Sequence, residues 1–153
     1  MSLATLIARY LLVALFFPFS ALDKILNFDG AVGQAREIFR PRPLAALVIL
    51  AGLAIEILCP LGILTGTADR LAALILALYC AVTALLFKRF WEPRDFWRRG
   101  PSRARDLFWD FLKNFSLAGG LLLILVGLRG GGLHAFLLHP LGSTHPYGPG
   151  ARG

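Results

Sequence analysis

LAALILALYCAVTALLF, residues 71–87, decides the fold. None of these side chains is charged. As a helix the stretch rises about 26 Å at 1.5 Å per residue, close to the roughly 30 Å of a bilayer's hydrocarbon core. Upstream, Leu44 to Gly66 is apolar apart from Glu56 and carries Pro60. Leu3 to Leu22 is apolar apart from Arg9 and carries Pro18, which is expected to kink its far end. Downstream, Phe115 to Leu128 is apolar but short, so its start is extended to about residue 112, with Leu107 to Leu112 in the interface. The chain reads as an all-α integral membrane four-helix bundle. Its spans fall at about 3–22, 44–66, 71–87 and 112–128, within a membrane domain of residues 1–129.

Composition agrees. Of 153 residues, 57% are hydrophobic and 16% charged, with a mean hydropathy of +0.67. Soluble domains carry about 25% charged residues. One soluble core of this size could not cover so much apolar surface. The net charge of +7 raises the possibility of nucleic acid, but the basic residues sit between apolar spans, where they meet anionic lipid instead. No nucleic-acid partner is expected. The first span lacks a basic stretch ahead of its apolar core, and Ser20-Ala21-Leu22 is a poor cleavage site, so it reads as a retained helix rather than a signal peptide.

Orientation follows from Lys and Arg. The first loop, residues 23–43, holds Lys24, Arg36, Arg40 and Arg42. The third holds eight, between Lys88 and Lys113. Four remain for the other side: Arg9, Arg70, Arg129 and Arg152. Both long loops are therefore expected in the cytoplasm and both termini in the periplasm of a bacterial inner membrane. Within the first loop, Asn27 to Phe39 reads as an amphipathic helix lying on the interface, with Val32, Ala35, Ile38 and Phe39 on one stripe. The third loop mixes Phe and Trp with basic residues, which suits a headgroup-level belt or a docking surface for a partner.

Charges inside a bilayer are costly and usually paired. Arg9 lies about 9 Å, and Glu56 about 15 Å, below the same membrane face. An intramembrane Arg9–Glu56 pair is expected, as a register device or as a polar core facing a small ligand such as a quinone headgroup. Arg70 either extends that pair or reaches to the headgroups. Asp23, Lys24, Lys113 and Asn114 form a polar layer at the opposite helix ends. Asp23 and Lys24 pair with each other or with loop residues, and Asn114 acts as a helix cap or interhelix donor. Gly119-Gly120 permits close helix approach. Cys59 and Cys80 read as buried free thiols. The Gly- and Pro-rich tail, residues 130–153, carries His134, His139 and His145 at spacings that match no standard metal site, and it is expected to lie against a partner subunit. No metal is expected. No catalytic residue is identified and no cofactor announces itself, a quinone being the one candidate.

In order, Arg9, then Asp23-Lys24, then Glu56 ahead of Gly62 and Gly66, then Arg70 before Ala72-Ala73-Leu74, then Phe90-Trp91, then Lys113-Asn114 leading to Gly119-Gly120 resemble the DoxX family of four-helix bacterial membrane proteins. The resemblance runs from about Arg9 to Leu128. It implies an inner-membrane bundle related to the membrane subunits of thiosulfate:quinone oxidoreductase. Family members often carry a His shortly before Phe-Trp, where this chain has Lys88-Arg89. The resulting expectation is a small accessory or anchoring subunit of a membrane redox complex near the quinone pool, with other membrane subunits as partners. The alternatives are a self-standing sulfur compound:quinone oxidoreductase subunit, or a purely structural subunit.

Overall fold

The computed structural model describes residues 3–126 and 132–145. Every regular element among them is helical: α1 Leu3–Ala14, α2 Phe17–Leu26, α3 Phe28–Arg36, α4 Arg42–Thr65, α5 Asp69–Phe87, α6 Arg103–Val126 and α7 Gly132–Leu138. Four segments are long and apolar enough to cross a membrane: Leu6–Leu26, Arg42–Thr65, Asp69–Phe87 and Arg103–Val126. Large side chains such as Leu15, Phe19, Leu47, Leu58 and Leu123 stand exposed along them. In water this would be an aggregating surface; in lipid it is the outer wall.

The first span is broken rather than kinked. The helix opens at Leu15–Phe16 and restarts at Phe17. Pro18 falls in the first turn of α2, where a missing N–H costs nothing. Asn27 ends α2, its N–H donating to the Asp23 carbonyl, and α3 starts directly after it. Val32 and Ala35 of α3 pack against Ala45 of α4, with Phe28, Phe39 and Ile49 around them. Pro41 is extended and Pro43 lies in the first turn of α4. Gly66, at φ 76°, closes α4 in the left-handed conformation that glycine adopts without penalty.

The fourth long helix starts at Arg103, well before the expected boundary. Asp95 explains this. Its carboxylate accepts the N–H groups of Ala104 and Arg103, each at 2.9 Å, and so caps the first turn. The Ala104 N–H above all holds this carboxyl below the ordinary aspartate range. Arg105 reaches back to the carbonyls of Phe96, Arg98 and Gly100, tying residues 88–102 to α6. Phe90 adds ring contacts to Phe108 and Phe111.

α5 is the central helix, packed on both α4 and α6. Its buried face is mostly Ala72, Ala73, Ala77 and Ala84, small residues that let helices approach closely. The main core gathers Val13, Phe17, Ile63, Leu76 and Leu121 with the free thiols Cys59 and Cys80. Gly120 is one close approach: a Cβ there would lie 2.9 Å from Leu12 of α1, whereas one at Gly119 meets nothing. The bundle has two ends. The Gly66 end gathers the starts of α1 and α5 and the finish of α4. The Lys88 end gathers the finish of α2 and α5, α3, and the first half of α6.

Candidate functional site

Two polar clusters occupy the bundle, one towards each end. Towards the Lys88 end, Lys24 donates to both carboxylate oxygens of Glu56, at 2.8 and 2.9 Å, and to Ser20 Oγ at 2.9 Å. All three of its N–H bonds are thereby used. Ser20 and Tyr79 each donate to Glu56 Oε1, at 2.9 and 3.1 Å. Glu56 is 3% exposed. Ser20 and Lys24 share one face of α2 by their four-residue spacing. Gly52 stands one turn before Glu56, and a Cβ there would lie 3.1 Å from the Tyr79 hydroxyl. Glycine at that position is what lets the tyrosine reach the carboxylate. Pro60 leaves the Glu56 carbonyl without its usual donor four residues on, so this turn of α4 is polar in backbone as well as side chain.

This network forms one wall of a cavity of about 470 Å³. Phe16, Phe17, Val48, Ile49 and Phe87 give it apolar surface; Asp23, Asn27, Gln34, Thr83, Lys88, Lys113 and Asn114 complete its polar side. Lys88 and Lys113 flank Asp110, at 2.9 and 2.8 Å. Each spends one N–H on it and keeps two. Three lysines therefore face Asp23, Glu56 and the adjoining Asp110, so the charge around the cavity is balanced.

Towards the Gly66 end, Arg9 donates to Asp69 Oδ2 at 2.8 Å, to the Ile63 carbonyl at 3.2 Å and to Thr144 Oγ1 at 2.6 Å. Thr144 in turn gives its backbone N–H to Asp69 Oδ1 at 3.0 Å and its hydroxyl to Oδ2. Asp69 is fully buried and Arg9 5% exposed.

The expected Arg9–Glu56 pair is therefore replaced by two separate pairs, Arg9–Asp69 and Lys24–Glu56. Side chains tilt towards the N-terminus of their own helix. On the antiparallel α1 and α4 this sends Arg9 to the Gly66 end and Glu56 to the Lys88 end. The Ile63 carbonyl that Arg9 meets lies about 10 Å along α4 from Glu56. Arg70 does not join either cluster: its Nε is buried without a hydrogen-bond partner. Lys24 binds Glu56 rather than Asp23, which is exposed at the cavity rim. Asn114 is not a cap; it lies inside α6, donates to the Asp110 carbonyl at 2.8 Å and is buried.

Residues 132–145 reach this chain's own Gly66 end through Thr144. His134, His139 and His145 belong to no metal-binding group among the described residues, and residues 146–153 lie outside the described part. Sequence reasoning missed Ser20, Asp69, Tyr79 and Thr144. The Ser20–Lys24 spacing was a usable signal for the first; nothing local marked Thr144.

The DoxX family model matches residues 4–89. That range contains Arg9, Ser20, Lys24, Glu56, Asp69 and Tyr79. The Lys113-to-Gly120 segment lies beyond it. No curated protein and no solved structure gives a match.

Proposed function

The chain belongs to the DoxX family and is a multi-pass integral membrane protein, and we propose that it is a small accessory subunit of a membrane redox complex that holds a quinone headgroup in the Lys24–Glu56–Tyr79 cavity. The carrying observation is that cavity: about 470 Å³ within the helical bundle, lined by aromatic rings and by side chains rich in donors. A quinone headgroup is a flat apolar ring with two carbonyl acceptors. The spare N–H groups of Lys88 and Lys113 suit the carbonyls, and Phe16, Phe17 and Phe87 suit the ring. The balanced charge favours a neutral ligand over a sulfur oxyanion, which argues for the accessory reading over a self-standing sulfur compound oxidoreductase.

The Lys and Arg bias, twelve in the two long loops against four elsewhere, orients the bundle with the Lys88 end cytoplasmic and the Gly66 end and termini periplasmic in a bacterial inner membrane. In that frame α3 lies near the cytoplasmic interface and lines the cavity with Gly30, Ala31 and Gln34.

The test is gentle detergent extraction at native expression, followed by native gels and mass spectrometry of co-migrating protein and extracted lipid. A reproducible partner bearing haem or flavin, together with bound quinone, supports the proposal. Migration alone without quinone contradicts it. Migration alone with quinone supports the cavity and removes the accessory role.

A further inference from the structure

Residues 88–103 carry a second concavity, of about 330 Å³, lined by Phe90, Trp91, Arg94, Phe96 and Trp97. Its floor is fixed, because Phe90 and Phe96 both pack edge-on against Phe108 of α6. Its rim is open: Trp97 is 92% exposed. Arg94 has φ 56°, a conformation that a residue with a side chain adopts at a cost. Arg94 stands in the wall of this aromatic bowl.

The charge here is unbalanced. Arg94, Arg98, Arg99 and Arg103 are exposed, and none has an acidic partner among the described residues. The nearby acids are committed elsewhere. Glu92 is bound to Arg89 at 2.6 Å, and both oxygens of Asp95 accept backbone N–H groups at the start of α6. Asp106, one turn into α6, is exposed and does not neutralise four guanidinium groups. The segment joins two membrane-crossing helices, α5 and α6, so it lies at headgroup level whichever face of the bilayer it occupies.

We propose that this bowl is a binding site for one anionic phospholipid. The phosphodiester is held by the Arg94 guanidinium with help from its arginine neighbours, and the glycerol and upper acyl carbons rest on Trp91, Phe96 and Trp97. Arginine forks match phosphate oxygens, and indole rings favour the boundary between headgroup and chain. Charge complementarity selects the lipid: a zwitterionic headgroup would bring its own cation against four arginines.

The test uses the full chain in mild detergent, titrated with short-chain phosphatidylglycerol, with phosphatidylcholine of the same chain length, and with inorganic phosphate, read by tryptophan fluorescence and native mass spectrometry. Phosphatidylglycerol is expected to bind at least about tenfold more tightly than phosphatidylcholine, with inorganic phosphate failing to displace it. Arg94→Gln is expected to weaken phosphatidylglycerol binding about tenfold, and Arg103→Gln, outside the bowl, by no more than about threefold. Both positions are exposed, so an unchanged melting temperature verifies the fold of each variant. Equal binding of the two lipids, or equal losses in the two variants, overturns the site in favour of a diffuse basic surface. Displacement by inorganic phosphate overturns the lipid as its ligand.

Discussion

The Lys24 ammonium lies 2.8 Å and 2.9 Å from the two carboxylate oxygens of Glu56, joining α2 to α4 in the interior of the bundle. This pair forms one wall of the larger cavity. Breaking a buried pair by removing one charge is costly, of order 3–5 kcal/mol. Lys24 is 22% exposed, so partial hydration should bring the loss from Glu56→Gln to the lower end, about 3 kcal/mol. Thermal unfolding in detergent checks this. The double variant Lys24→Met with Glu56→Gln should recover more than half of the loss. Additive losses would show that the two groups are not coupled.

Gly52→Ala should separate Tyr79 from Glu56. The added methyl would lie 3.1 Å from the tyrosine hydroxyl, tighter than most packed contacts, so the ring must move by a few tenths of an ångström. Overpacking of this kind costs about 1–3 kcal/mol. The melting temperature should fall, and Tyr79→Phe, which removes the clashing hydroxyl, should restore part of it. Equal effects of Gly52→Ala in the parent and in the Tyr79→Phe background would show that the Tyr79 hydroxyl does not occupy this place.

Thr144→Val should release the tail from the Gly66 end. It removes the hydroxyl that bonds Asp69 and accepts from Arg9, while the Thr144 backbone N–H still reaches Asp69. The loss of side-chain bonds to charged groups is expected at about 1.5–3 kcal/mol. Hydrogen exchange should rise in residues 139–145 and remain unchanged in α3. Uniform protection before and after the substitution would contradict the latch.

The start of α6 should depend on pH through Asp95. The carboxyl of Asp95 is held below its ordinary value by backbone N–H groups, Ala104 foremost. Its stabilising effect is therefore full above the unfolded aspartate value, about 3.9, and is lost as pH falls through the lower folded value. Amide chemical shifts of Arg103 and Ala104 should follow that titration. In Asp95→Asn the titration should vanish.

The four long helices were legible because bilayer thickness imposes a length and a composition on each span, and residues 71–87 satisfy both without a charge. That Arg9 and Glu56 would need partners was legible too, since an unpaired charge in the bundle is costly. Their identity was not legible. Depth along a helix axis places alpha carbons, whereas partner choice depends on which way each side chain tilts, and on antiparallel helices the tilts diverge. Asp69, close in sequence to Gly66 and Thr67, opens α5 and is fully buried, which no local pattern marks. The early start of α6 was hidden because its cap, Asp95, acts from eight residues upstream in an irregular segment. The cavity arises only when α3 folds back on α4, which no single segment announces.

The most direct test of the central proposal is equilibrium binding of a short-chain quinone to the full chain in detergent, compared with Ala31→Trp. Ala31 lines the cavity from α3 and makes no part of the Lys24–Glu56–Tyr79 network, so an indole there fills the space and spares the ion pair. Saturable binding by the parent chain, weakened at least about tenfold by Ala31→Trp with the melting temperature retained, is the predicted result. Absence of saturable binding, or equal affinity in the two proteins, contradicts the cavity as a quinone site.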